Sequence, residues 1–183
     1  MNTVDREIKE LLLSFQAAYQ KRSLDDIDSF LRSMFIEEFP VYYGVSSREQ
    51  RTGLEDIREL VECDWRYWGD LHIDIDRVTV HGEADFACCI TTGFVDWKIP
   101  EETFLGRSLH GIQDLLEGDG SQRQKLLAIS NNAIKVLMEA DRGTSHVLPL
   151  RISCTMKKED GAWKFCQLHF SHPTEMYPDS RML

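Results

Sequence analysis

His169 is the residue of this sequence best suited to acid–base chemistry, because it lies in an alternating apolar run near the C-terminal end. Imidazole titrates near neutrality, so a histidine in an apolar pocket can act as a general acid or base. Gln167, two residues earlier, is predicted on the same strand face. The alternative is a histidine whose ring is satisfied by a neighbouring hydrogen bond or lies at a subunit interface.

The direction of His169 depends on how its strand pairs with the preceding one. Glu159-Asp-Gly161 is typical of a tight hairpin turn, which places Ile152 opposite His169 and Cys154 opposite Gln167. That face is the more apolar one, so we expect it to meet the helices. A register shifted by one residue would place three other residues in the pocket: Arg151, Cys166 and Phe170.

Aromatic side chains in the first half of the chain could line such a pocket. They are Tyr19, Tyr42, Tyr43, Trp65 and Trp68. A pocket rich in aromatic groups with few polar groups suits a small apolar ligand. Packing in the core is the alternative for each of them.

Two amphipathic helical patterns open the chain, and a third follows the short extended run Phe39-Pro-Val-Tyr-Tyr-Gly44. In the first, apolar residues recur at steps of three and four and form one stripe: Val4, Ile8, Leu11, Leu12, Phe15 and Tyr19. The second begins at Ser23, whose hydroxyl can cap the first turn. The third begins with Thr52-Gly-Leu-Glu55, a capping box. From Leu71 the apolar period changes from 3.6 to 2.

Helices followed by hairpins predict an α+β fold, in which a curved antiparallel sheet wraps on about three N-terminal helices. Glycines and Pro100 interrupt the strand series, and two helical patterns predict a helical insertion at about 98–145. Such an insertion could cover a pocket, make a subunit contact or only add packing. We expect a single domain over 1–175 and a tail at 176–183.

Composition excludes several classes of function. The 183 residues carry 21 basic and 31 acidic side chains, a formal net charge of −10, which argues against a nucleic-acid partner. There is no long apolar run for a membrane helix. The six histidines are scattered and no Cys-x-x-Cys pair occurs, so no metal site is predicted. Five cysteines in apolar contexts fit buried thiols and a cytoplasmic location.

The order of elements resembles the SnoaL-like branch of the nuclear-transport-factor-two-like superfamily. Three passages carry this resemblance: Ser-Leu-Asp-Asp-Ile at 23–27, Thr-Gly-Leu-Glu-Asp-Ile-Arg at 52–58, and Glu-Asp-Gly-Ala-Trp-Lys-Phe at 159–165, which runs on to His169, Ser171 and Pro173. The resemblance implies a cone-like fold with an apolar pocket between sheet and helices, and a homodimer formed through the sheet. Members of this superfamily include cyclases, isomerases, hydrolases, dehydratases and non-catalytic modules.

The resemblance also suggests roles for individual residues. A cyclase of this type would use a histidine with an aspartate, and the pair expected here is His169 with Asp96. Ketosteroid isomerase chemistry needs a carboxylate base at the position that Phe39 occupies, so that activity is not expected.

The sequence therefore predicts a pocket protein that binds a small apolar molecule and needs no cofactor. Its pocket would be lined by Tyr19, Tyr43, Trp65, Trp68, Ile152 and Gln167. Catalysis as an isomerase, cyclase, hydrolase or dehydratase is one possibility, and a non-catalytic dimeric binding or assembly module is the alternative.

Overall fold

The computed structural model describes residues 3–46, 49–98, 100–141 and 145–173. Two α-helices come first, α1 (Thr3–Lys21) and α2 (Ile27–Met34), and a third, α3 (Leu54–Tyr67), follows the first two strands. A single 3₁₀ turn, Leu24–Asp26, precedes α2. The apolar stripe predicted for α1 is buried at Ile8, Leu11, Leu12, Phe15 and Tyr19. The first helix therefore lies with one face in the core.

Within the described residues the sheet has seven strands: β1 (Val41–Tyr43), β2 (Gln50–Thr52), β3 (Asp70–Ile73), β4 (Thr79–Glu83), β5 (Phe86–Lys98), β6 (Ser145–Glu159) and β7 (Ala162–Ser171). Their order is β2-β1-β7-β6-β5-β3, and β4 also pairs with β5. The α+β class and the curved sheet are confirmed. The sheet is mixed rather than antiparallel throughout, because β1 runs parallel to β7.

The predicted register of the last hairpin is wrong by one residue. The tight turn is present, since Glu159 pairs with Ala162. The pairing then shifts between Thr155 and Met156, where Cys166 is the extra residue of a β-bulge. Beyond the bulge, Ile152 pairs with Phe170.

The bulge decides which side chains of β7 are buried. Phe165, Leu168 and Phe170 are all buried, although the first two are three residues apart. Gln167 and His169 alternate with the buried residues and pair with Thr155 and Ser153. These two polar side chains therefore turn away from the helices, contrary to the prediction.

Two further helices, α4 (Glu101–Glu117) and α5 (Gln122–Asp141), lie between β5 and β6. The chain divides into two compact units, one made of 1–96 with 147–183 and the other of 97–146. In the second unit no residue of α4 is buried. The predicted tail at 176–183 lies outside the described residues.

Candidate functional site

Three polar side chains from distant parts of the chain meet in the first unit. The Tyr19 hydroxyl donates a hydrogen bond of 3.0 Å to a carboxylate oxygen of Asp64. The same hydroxyl lies 3.1 Å from the hydroxyl of Tyr42. Both tyrosines are only 1% exposed. We call these three residues the Tyr–Tyr–Asp cluster.

Burial changes the acidity of the cluster. Loss of hydration raises the pKa of Asp64 from 3.8 to about 7, although the Tyr19 hydrogen bond opposes this and the nearby charge of Glu49 adds to it. Burial also raises the pKa of Tyr19 and of Tyr42 well above the ordinary value. Near neutral pH the carboxyl group can therefore exist in either form, while both hydroxyls stay protonated.

Each member of the cluster is fixed by its own element. Tyr19 ends the buried stripe of α1, and Tyr42 is the buried central residue of β1. Asp64 follows the buried residues Leu60 and Val61 of α3 by four and three positions, so it lies beside the helix stripe that faces the core. A carboxylate on an apolar stripe is the sequence signal that could have identified Asp64, which we did not predict.

Aromatic rings surround the cluster. The Tyr19 ring lies 6.1 Å from the rings of both Trp65 and Trp68, in edge-on arrangements. Trp68 also contacts Phe170 at 5.9 Å. Trp68 and Asp64 are partly exposed, so the cluster is reached from solvent at this point.

Trp65 has a buried indole N–H with no hydrogen-bond partner among the described residues. This ring also lines a groove of about 420 Å³ between α1 and α2, beside Phe30 and Met34.

The predicted site residues are divided between the two faces of the sheet. Tyr19, Trp65 and Trp68 lie together around Asp64 as described above. Ile152 is buried on the helix face of the sheet. Tyr43 lies elsewhere, with its ring 5.8 Å from the ring of His169.

The predicted pair of His169 and Asp96 lies on strands that are not neighbours. Asp96 is on β5, opposite Asp70 of β3. His169 is on β7, and β6 lies between these two strands. His169 borders a groove on the outer face of the sheet, away from the Tyr–Tyr–Asp cluster.

Metal ligation and membrane crossing find no support in the part of the chain that the structure describes. Among those residues no group of three or more His, Cys, Asp or Glu side chains could hold a metal ion. No helix in the same residues is long and apolar enough to cross a membrane.

Solved structures resemble this chain along nearly its whole length. One is a nuclear transport factor 2-like (NTF2-like) superfamily protein from Salmonella enterica serovar Typhimurium, with a TM-score of 0.62, 13% identity, and coverage of 96% of this chain and 95% of that one. This chain has the NTF2-like fold.

Two other structures with this fold carry names that refer to activity. A proposed dehydratase of the NTF2-like family from Streptomyces avermitilis has a TM-score of 0.61 and 8% identity, and the match covers 94% of this chain and 98% of that one. A ketosteroid isomerase-like protein from Erwinia carotovora atroseptica has a TM-score of 0.59 and 12% identity, with coverage of 96% and 100%. At these identities the likeness concerns the NTF2-like fold alone. No family model and no curated protein matches the sequence.

Proposed function

We propose that this NTF2-like protein binds a small, largely apolar molecule beside Asp64 and catalyses a proton transfer on it without a cofactor. The observation that carries the proposal is a partly buried carboxyl group with a pKa of about 7, hydrogen-bonded to a tyrosine. A catalytic acid or base works best when its pKa lies near the working pH. Solved proteins of the same fold whose names refer to isomerase and dehydratase activity support this class of reaction.

The chemistry follows from the two kinds of group in the cluster. Ionised Asp64 would accept a proton from a carbon or hydroxyl group of the bound molecule. Tyr42 keeps its proton and could donate a hydrogen bond to an oxygen on which negative charge develops. Returning the proton elsewhere on the same molecule completes an isomerisation, and loss of a hydroxyl group as water completes a dehydration.

A generic proton-abstraction substrate tests the base without knowledge of the natural one. Nitrobenzisoxazole loses a proton from carbon to a base while its N–O bond breaks, which releases a coloured phenolate. We expect turnover above the buffer rate that increases with pH around a midpoint of about 7. Asp64→Asn should abolish the increase.

Asp56→Asn is the matched control, because Asp56 is an exposed carboxylate on the same helix. Equal loss of turnover in the two variants, or turnover in Asp64→Asn that still increases around pH 7, would count against Asp64 as the base. Loss of turnover in His169→Ala but not in Asp64→Asn would move the reaction to the site predicted from the sequence.

A second candidate function is a non-catalytic dimeric module, and the second unit favours it. Helices α4 and α5 expose large apolar side chains: Leu109, Leu116, Leu126, Leu127, Ile134 and Leu137. We propose that a second copy of this chain covers them, which gives a homodimer. Light scattering at micromolar concentration should give twice the mass of the chain, and Leu126→Ser with Leu127→Ser should reduce it to the monomer mass.

A monomer mass for the unaltered protein would contradict the homodimer.

A cytoplasmic location stays a prediction from the cysteine content.

A further inference from the structure

A groove of about 530 Å³ lies in the first unit, on the sheet face opposite to α1. Phe170 points towards α1, since its ring lies 6.3 Å from that of Phe15. His169, the next residue of β7 back along the chain, points the other way and borders the groove. The groove is therefore separate from the Tyr–Tyr–Asp cluster, and a ligand bound in it would be independent of the proposed function.

Positive charge is concentrated in this groove, although the chain as a whole has a net charge of −10. Arg77 and Arg151 both line it. Arg77 already forms an ion pair with Asp74, at 3.2 Å. Arg151 is exposed and has no ion pair within the described residues. Of these three charged groups, Arg77 and Asp74 neutralise each other, and the guanidinium charge of Arg151 is not compensated.

The remaining walls are of two kinds. Ile90, which is 60% exposed, contributes apolar surface. Hydroxyl groups of Thr79, Ser153 and Ser171 lie along the same groove and can donate hydrogen bonds. Apolar walls with a few convergent polar groups are typical of small-molecule sites.

We propose that this groove binds a small organic acid, with its carboxylate on Arg151 and its apolar body against Ile90. A guanidinium group matches a carboxylate with two parallel hydrogen bonds. A single uncompensated charge suits a monoanion better than a phosphate group, and the apolar walls suit a hydrocarbon body.

Two dyes that differ in one charged group test the proposal. Anilinonaphthalene sulfonate is an apolar anion, and N-phenylnaphthylamine is its neutral counterpart. We expect the anion to bind and Arg151→Gln to weaken its binding by roughly tenfold or more, because the guanidinium's charge-assisted hydrogen bonds are lost. Binding of the neutral dye should not change.

Arg32→Gln provides the matched control, because it removes the same charge from an exposed position on α2. Octanoate should displace the anionic dye from the unaltered protein, and octanol should not. Asp64→Asn should not alter the effect of Arg151→Gln on the anionic dye, so a failure of the proposed catalysis would be seen separately.

Three results would overturn the proposal. One is equal weakening by Arg151→Gln and Arg32→Gln, which would indicate a general effect of net charge. Another is equal loss of both dyes in Arg151→Gln, which would indicate a purely apolar surface. The third is no binding of the anionic dye, as expected if a second copy of the chain covered this face.

Discussion

At the scale of single residues, Asp64 combines two properties that rarely occur together in one side chain. It lies on the buried stripe of a helix, where carboxylates are rare because ionisation there costs hydration. It also accepts a hydrogen bond from Tyr19, which favours the ionised form. The balance leaves a pKa of about 7. Such balances are common at catalytic sites and also occur in structural hydrogen-bond networks.

The raised pKa of Asp64 predicts how stability depends on pH. Between the ordinary value of 3.8 and about 7, the folded state holds a proton that the unfolded state has lost. Stability from this residue is therefore present at low pH and decreases as pH rises towards 7. Asp64→Asn removes this dependence on pH. The free energy of unfolding of the variant, relative to that of the unaltered protein, should therefore increase by about 3 kcal/mol from about pH 5 to about pH 8.

Urea unfolding of both proteins at the two pH values measures this difference. Asp56→Asn should show no such gain, because Asp56 is exposed in both states. A constant difference between Asp64→Asn and the unaltered protein would mean that the carboxyl group is ionised throughout this range.

Two buried thiols also lead to a prediction. The sulfur atoms of Cys89 and Cys154 lie 2.9 Å apart on the neighbouring strands β5 and β6. Contact with Cys89, together with burial, raises the pKa of the Cys154 thiol, so the reactive thiolate is scarce. Prolonged incubation with oxidised glutathione should join the two sulfurs and release two molecules of reduced glutathione.

Thiol titration of the unfolded product should then show the loss of at least two of the five free thiols. Peptide mapping should find the bond between the peptides of Cys89 and Cys154, and Cys154→Ser should prevent it. A product that carries only mixed disulfides with glutathione would contradict the prediction.

At the scale of elements, the sequence was informative where a signal is local. The presence of three helices in the first half, the change to a period of two and the tight turn at Asp160-Gly161 are confirmed. Each depends on residues close together in the chain. The two predicted helix caps are wrong, because α2 begins at Ile27 and the N-cap of α3 is Gly53, and Ser23 makes no side-chain cap hydrogen bond.

The bulge at Cys166 was missed, although the apolar pattern changes parity between Phe165 and Leu168. That single residue turned His169 to the other face of the sheet.

The reason why the Tyr–Tyr–Asp cluster was not predicted differs from the reason why the bulge was missed. Its members lie 23 and 45 residues apart along the chain and come from α1, β1 and α3. Asp64 alone carried a sequence signal, as a carboxylate on an apolar helix stripe, whereas either tyrosine alone is typical of core packing. Their contact depends on how three elements pack, which no local pattern contains.

The hairpin turn predicts a specific effect of substitution. Asp160 and Gly161 both have positive φ, at 53° and 79°, as in the two-residue turns that match strand twist. No atom lies within 4 Å of a side chain added at Gly161, so only the backbone opposes substitution. Gly161→Ala should lower the free energy of unfolding by about 1 kcal/mol.

Gly161→Asn is the matched variant, since asparagine tolerates positive φ better than alanine does. When both variants are unfolded in urea, Gly161→Asn should lose clearly less free energy of unfolding than Gly161→Ala. Equal losses would mean that something other than the backbone angle destabilises the turn.

At the scale of the whole molecule, the core belongs to one of the two units. No buried apolar side chain of the described residues lies in 97–146, and the core residues nearest to this segment are Val95 and Leu150. The cluster around Asp64 and the groove at Arg151 also lie entirely in the first unit. The second unit therefore adds surface and little to the interior.

This distribution predicts that the first unit folds without the second. When residues 97–146 are replaced by a short Gly/Ser linker, the chain should still unfold cooperatively. Its free energy of unfolding should still depend on pH in the way that Asp64 imposes. The same replacement should give a monomer by light scattering if α4 and α5 form the subunit contact. Phe165→Ala in the shortened chain should abolish cooperative unfolding, because such a core substitution costs about 3–5 kcal/mol. If the shortened chain shows no cooperative transition, the prediction is wrong and the first unit does not fold without the second.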